Sequence, residues 1–481
     1  LRRFLVRAFV PSPGTAVGGV GFVALLANPG NADMLWHLAL GRSIVLSRSL
    51  PDINSLYYTP TIAVGRDPSW LSQVILYACY GLFSAAGLAV LNALVGALIF
   101  YLLYRLLERG SDNLLLNVAI LALAYGAISP YLDGRPAALT VLLLTFELSV
   151  LDDFIRLDRD RLWYIPLTMV LWVNLHPGFL IAPAVLLVFV VFSGRGTGRL
   201  KLLLCLLATC AAVAVNPYVW RLYALPAELT RSFFMLRNLT EWTGITGLSV
   251  LLWGVLLAVA VFGFALRKPA TSVLALFILA ALSAIVAYRN LPLFGVAAVL
   301  AIANGLPGYA PVLERWRPLG RFRSSYPGAG GWFWAIALPV TIILASHVPG
   351  SPVRLRLNLK DYPVAAVRQL RSQAIPGNIF VRETWSGYLM WEMPENKLFW
   401  DAKGGFSPQA LRDHHELVNP GPNWRAVAER YNIAVFLLER DSPLGTVLKE
   451  ADGWVPCWRD SVAETFIRDR SAHAKRMPDN R

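Results

Sequence analysis

The sequence predicts a polytopic α-helical membrane protein of about eleven transmembrane helices followed by a soluble C-terminal α/β domain. Three observations predict it. Of 481 residues, 56% are hydrophobic and only 15% charged, with a mean hydropathy of +0.51, which is outside the usual balance of a soluble globular chain. Apolar runs recur up to about Ser346, each near the roughly 20 helical residues that cross about 30 Å of hydrocarbon. Beyond Ser346 the apolar runs shorten, and helix-like and strand-like segments alternate.

Taken in order, the expected spans are 8–28, 87–107, 112–129, 137–152, 161–174, 178–193, 201–215, 246–266, 271–287, 291–306 and 331–346. The first has a basic start and an apolar stretch. It reads as an uncleaved helix that serves as its own insertion signal, because further spans follow. The fifth and sixth are short and are expected to form a broken pair meeting at His176-Pro177-Gly178, where Pro removes a backbone donor and Gly eases the turn.

These spans define a transmembrane domain over 1–350, with a long first outward loop at 29–69. The first half of that loop predicts an amphipathic interfacial helix. Leu35, Leu38, Ile44 and Leu46 would lie in the interface, Trp36 at the headgroups, and Asp33, His37 and Arg42 in water. Residues 351–470 read as the α/β domain. Helices are expected at DYPVAAVRQLRSQ and NWRAVAERYN, and strands at GNIFV, SGYLMWEM, NKLFWDA, IAVFLLE, WVPCWRD and AETFIRD. The tail 471–481 is expected to be disordered, and His414-His415 reads as a solvated pair.

The net charge of +14 does not form one basic face, so a nucleic-acid partner is not expected. The basic residues instead cluster between spans, as membrane topology requires. One set of loops carries seventeen (Arg2, Arg3, Arg7, Arg105, Arg109, Arg156, Arg159, Arg161, Arg195, Arg199, Lys201, Arg267, Lys268, Arg315, Arg317, Arg321 and Arg323) and the opposite set carries eight. By the positive-inside rule the N-terminus is cytoplasmic and the C-terminal domain extracytoplasmic. Cys79, Cys205, Cys210 and Cys457 show no CxxC spacing, which implies neither disulfide nor zinc.

The outward loops carry the candidate chemistry. Asp33 and His37, at i and i+4, put a carboxylate and an imidazole on one helix face, a pattern that suits either a divalent metal ion or a general base. The same membrane face is expected to expose Asp133-Gly134-Arg135-Pro136, Asn174-Leu175-His176, Asn216-Pro217-Tyr218, Asn238 to Trp242 and Tyr288-Arg289-Asn290. Arg135 and Arg289 suit a phosphate group, since guanidinium makes forked bonds to its oxygens. Glu241 and His176 suit acid/base or metal chemistry.

The segments DMLWHLALGRSIVLSRSLPDINS, WLSQVILYACYGLF, DGRPAALTVLLL, LWVNLHPGF, NPYVWRLY, TEWTG and YRNLPLF resemble a bacterial group of GT-C-like proteins, over most of the chain. The resemblance implies a GT-C superfamily membrane glycosyltransferase of the bacterial inner membrane. Its donor would be a sugar on a polyprenyl phosphate or diphosphate, and its partners membrane lipids. Asp33 would be the catalytic carboxylate, and His37, Arg135, Asn174, His176, Glu241 and Arg289 would line the same cavity. Many branches place two acids side by side in this loop, whereas Met34 follows Asp33 here. That departure leaves room for a non-catalytic subunit that keeps the fold and packs against partner membrane subunits.

Overall fold

The structure, a computed structural model, describes residues 11–27, 32–61, 67–194, 196–224, 243–309, 332–351, 355–373, 377–401 and 407–469. In chain order the helices up to residue 350 are α1 (Pro13–Leu25), α2 (Ala32–Ser47), α3 (Trp70–Glu108), α4 (Leu114–Ile128), α5 (Ala137–Arg156), α6 (Tyr164–Leu175), α7 (Ile181–Phe192), α8 (Thr197–Ala212), α9 (Leu248–Leu266), α10 (Thr271–Val286), α11 (Leu291–Gly305) and α12 (Trp332–His347). There follow α13 (Val364–Arg371), β1 (Asn378–Val381), α14 (Glu383–Glu392), α15 (Pro408–Val418), α16 (Trp424–Arg430), β2 (Ile433–Glu439), α17 (Pro443–Glu450), β3 (Trp454–Arg459) and β4 (Ala463–Arg468). The described residues fall into two compact units, one within 11–27, 79–224, 243–309 and 332–356, the other within 32–78 and 357–469.

The first unit is built around α11, which packs against α4, α5, α9 and α10. Its sequence LPLFGVAAVLAIANG is small and apolar, and every residue in it except the half-buried Leu293 is buried. Glycine matters at one crossing: a Cβ on Gly305 would sit 2.9 Å from the Cα of Gly263, so α9 and α11 touch backbone to backbone. Away from that core, Leu204, Leu207, Leu251, Phe262, Leu279 and Leu282 point outward, which lipid tolerates and water does not. Each expected span coincides with a helix. Among the described residues, Trp70–Glu108, Leu114–Tyr131, Thr197–Val215, Leu248–Leu266 and Tyr288–Gly308 are long and apolar enough to cross a membrane by length and composition. The chain is a multi-pass membrane protein.

Local chemistry sets the helix ends. Ser12 accepts the Thr15 amide with Pro13 next in line, and Asn113 caps Leu116 in the same way. The break expected at His176 is present: α6 ends there, His176 is extended, and a short 3₁₀ turn leads into α7. α3 breaks its helical dihedrals once, at Ser84 (φ 52°, ψ −148°).

The second unit contains a four-stranded sheet in the order β1-β2-β4-β3, with β1 parallel to β2 and the other pairings antiparallel. β2 is central and buried along IAVFLL, so it reads as an unbroken apolar run rather than an alternation. Gly377 enters β1 at φ +152°, where a Cβ would meet Ala434 at 2.8 Å. The first loop belongs to this unit. Tyr58 N–H donates to Leu398 O (3.0 Å), Leu398 N–H to Leu56 O (2.8 Å), and Thr59 Oγ1 to Phe399 O (2.6 Å).

Three expectations are corrected here. SGYLMWEM is helical, within α14, because it packs against α2 and needs a helix face rather than a pleat. NKLFWDA forms a single bridge, Tyr57 to Leu398, rather than a strand. α2 is not an amphipathic interfacial helix: Met34 to Gly41 are all buried, His37 among them at 6% exposure. The tail 471–481 lies outside the described residues.

His414 is not solvated either. It stacks on Trp400 at 5.1 Å, and its Nε2 lies 3.3 Å from Glu383 Oε2. Burial alone would raise the Glu383 carboxyl, but the neighbouring His414 ring, a backbone bond and the Arg382 charge bring it below the ordinary 4.5. A carboxyl lowered on folding contributes stability that is complete above 4.5 and is lost as pH falls through the lower folded value. Glu383→Gln is therefore expected to melt earlier at pH 7, by roughly 1–2 kcal/mol. The gap to wild type should close in thermal unfolding below pH 4. A constant gap would place the effect in packing instead.

Candidate functional site

α2 forms because ADMLWHLALGRSIVLS is rich in good helix formers and opens with Asp33, whose charge suits the positive end of the helix dipole. Asp33 is half-buried in the first turn, and His37 is buried one turn later. Gly41 explains the depth of that burial. A Cβ there would lie 2.2 Å from Gln73 O and 2.8 Å from Tyr77 Cβ, so α2 and the first turns of α3 meet through bare backbone.

This close approach brings the Gln73 amide to His37. Gln73 Nε2 lies 3.4 Å from His37 Nδ1 and also donates to Asp67 Oδ2, whose partner oxygen accepts the Ser69 amide at 2.9 Å. An amide nitrogen only donates, so Nδ1 is the acceptor and the neutral ring carries its hydrogen on Nε2. Tyr57 OH donates to the buried Asp401 at 2.6 Å. Burial first, then the charges of Asp401 and Asp67, push the Tyr57 phenol well up, so it stays a donor. Tyr362 is pushed up to about 12 by burial and by the nearby charges of Asp33 and Asp361.

Around this cluster the contacts are structural. Arg42 lies 4.2 Å above the Trp391 ring and donates to the Trp391 carbonyl, while Tyr77 meets the same ring edge-on. Trp385 is buried and donates to Asp361 O at 2.8 Å. The second unit thus places Gln73 and, through it, Asp67 beside His37, and Asp401 beside Tyr57, three groups that sequence reasoning missed. Asp67-Pro68-Ser69 just ahead of an apolar helix was a readable turn signal. Asp401, 344 residues from Tyr57, had none.

The remaining expected site residues belong to the first unit. Arg135 follows the left-handed Gly134, and its Nε lies 2.7 Å from Asp133 Oδ2. His176 Nδ1 accepts the Gly178 amide (3.1 Å) and lies 2.8 Å from Thr140 Oγ1, which in turn accepts from Trp172 Nε1 (3.0 Å). Its neutral ring therefore also carries the hydrogen on Nε2. Asn174 donates to Val170 O and Val215 O and accepts from Asn216 Nδ2 (3.0 Å), so its amide ties α6 to the turn after α8. Arg289 is half-buried in the turn that opens α11. Glu241 lies outside the described residues. Among the described residues no three His, Cys, Asp or Glu side chains come together as a metal-ligand set.

No family model matches the sequence, and no curated protein does. Solved structures match the fold. The oligosaccharyltransferase of Archaeoglobus fulgidus matches in its apo crystal form with a TM-score of 0.53 and 12% identity, over 89% of this chain and 69% of that one. The same enzyme tethered to an acceptor peptide matches with a TM-score of 0.50, at 12% identity over 89% and 68%. A cryo-EM structure of a mycobacterial arabinofuranosyltransferase matches with a TM-score of 0.56 and 14% identity over 96% of this chain, which spans 40% of that one. The chain shares its fold with these solved membrane glycosyltransferases.

Proposed function

We propose that the chain is a glycosyltransferase that moves a sugar from a polyprenyl phosphate or diphosphate to a glycan, lipid or protein acceptor on the extracytoplasmic face of a bacterial inner membrane. In this reading the eleven spans cross the bilayer with the N-terminus cytoplasmic, and residues 351–470 face outward. The observation that carries it is the half-buried carboxylate of Asp33 one turn from the buried His37, on a helix of a fold shared with membrane glycosyltransferases.

Asp33 takes the proton of the acceptor hydroxyl as that oxygen bonds to the anomeric carbon. The bond from that carbon to the phosphate oxygen breaks, and the configuration inverts. Arg135 and Arg289 receive the charge that grows on the leaving phosphate, a contribution that preorganised cations make cheaply away from water. The Nε2–H of His37 and of His176 supply donors, Asn174 is a positioning residue, and Glu241 stands as a second acid/base group.

One observation favours a second reading, a non-catalytic subunit of a membrane complex. Arg135 is already engaged by Asp133, as a structural ion pair would be. Mass spectrometry of glycolipids and surface glycans separates the two, in cells carrying wild type, Asp33→Asn at matched membrane level, or no gene. Loss of a general base is expected to slow transfer roughly 10²–10⁴-fold, leaving an undecorated glycan in the variant as in the deletion. A variant profile equal to wild type, where the deletion differs, selects the scaffold.

A further inference from the structure

The ends of α5, α9 and α11 and the start of α10 border an open pocket of about 320 Å³, lined by Ile155, Arg156, Arg267, Lys268, Ala270 and Asn304. All six belong to the first unit. Arg156 is balanced, since its Nε lies 2.7 Å from Asp152 and its Nη1 donates to Ala303 O at 3.1 Å. Arg267 and Lys268 are exposed, and among the described residues neither makes an ion pair. Two cations beside an already neutralised ion pair leave the pocket with an excess of positive charge.

Two further features suit an anion there. α10 runs sixteen residues from Thr271, and Ala270 ahead of it offers no side-chain acceptor to the first-turn amides. Those N–H groups and the positive end of the helix dipole add to the lysine and arginine. Just ahead of Arg267, at the end of α9, Phe262 and Leu266 lie one turn apart and are exposed at 50% and 40%. An anion that brings its own hydrocarbon gains contact with both parts of such a site, which inorganic phosphate does not.

We propose that this pocket binds a phosphate group, supplied by the headgroup of an anionic phospholipid whose acyl chain runs along Phe262 and Leu266. Its volume lies at the small end of the roughly 300–1,000 Å³ typical of ligand pockets, which is room for a headgroup. In the orientation proposed above, Arg267 and Lys268 lie on the cytoplasmic side, away from sugar transfer, where anionic lipids are held by basic residues. Only the choice of leaflet rests on that orientation. The binding itself is independent of the transfer chemistry.

The test is native mass spectrometry of the full chain released from nanodiscs of phosphatidylcholine with phosphatidylglycerol. Wild type is compared with an Arg267→Ser/Lys268→Ser double variant and with an Arg159→Ser/Arg199→Ser control that removes exposed basic residues elsewhere. Wild type and control should retain one phosphatidylglycerol, and the double variant should retain at least about tenfold less. Thermal unfolding with inorganic phosphate identifies the other source: if no lipid is retained but phosphate stabilises wild type and not the double variant, the phosphate site stands and the lipid assignment falls. Equal lipid retention in all three proteins, with no phosphate effect that depends on Arg267 and Lys268, overturns the proposal.

Discussion

Gly41→Val should leave almost no correctly folded protein in the membrane and no transfer activity. The added Cβ would sit 2.2 Å from the Gln73 carbonyl oxygen and 2.7 Å from its carbon, and a carbonyl in the first turns of α3 has no rotamer by which to yield. α2 would have to lift away, exposing Met34, Leu35, Leu38 and Leu40, each at 1% exposure or less. Overpacking of this kind costs about 1–3 kcal/mol where side chains give way, and here backbone meets backbone, so the cost should exceed about 3 kcal/mol. The His37–Gln73 contact would part with it. Gly81→Ala is the matched control, because a Cβ at Gly81 meets nothing within 4 Å. Fluorescence-detected size exclusion of detergent extracts reads the outcome: a sharp peak for Gly81→Ala and aggregate for Gly41→Val. A wild-type profile for Gly41→Val would refute the backbone contact between α2 and α3.

The same contact shows what the sequence made legible and what it did not. In the first 350 residues lipid imposes a simple rule, that an apolar run of sufficient length is a helix, and every expected span coincides with one. The break at His176 was readable because Pro177 has no donor. In α2 that logic misleads. An apolar helix lying on a bilayer and one enclosed by protein have the same composition, and only the glycine at position 41 marks close approach to another backbone. SGYLMWEM failed for a related reason, since a short apolar run fits strand or helix until its packing partner is known. Asp33 and His37 lie one turn apart on a single helix, as their spacing predicts. Asp67 comes to His37 through Gln73 only because the start of α3 meets α2, and Asp401 comes to Tyr57 because residues 56–60 bond to Leu398 and Ser407. Both are products of tertiary pairing that no local pattern announces.

A second large effect concerns two acids on α5 whose substitutions should move stability in opposite directions. Asp152 is 2% exposed and accepts from Arg109 Nη1 at 2.8 Å, Arg156 Nε at 2.7 Å and Asn304 Nδ2 at 3.2 Å. Replacing it by Ala leaves the Arg156 guanidinium, less than one-fifth exposed, without its anion and Arg109 with Asp153 alone at 2.7 Å, and frees α5 from α11. Removing one partner of a buried ion pair costs about 3–5 kcal/mol, a large part of a typical total of roughly 5–15 kcal/mol. Glu147, less than two turns earlier, is 1% exposed, and neither carboxyl oxygen has a hydrogen-bond partner. A buried polar group left unsatisfied costs about 1–3 kcal/mol, so Glu147→Leu, which fills similar space without that cost, should stabilise by about that amount. Unfolding in mixed detergent with increasing SDS measures both, with the midpoint falling for Asp152→Ala and rising for Glu147→Leu. Shifts of the same sign would mean that Glu147 has a partner of its own, and that the stability of α5 depends on its acidity as a whole rather than on the Asp152 cluster.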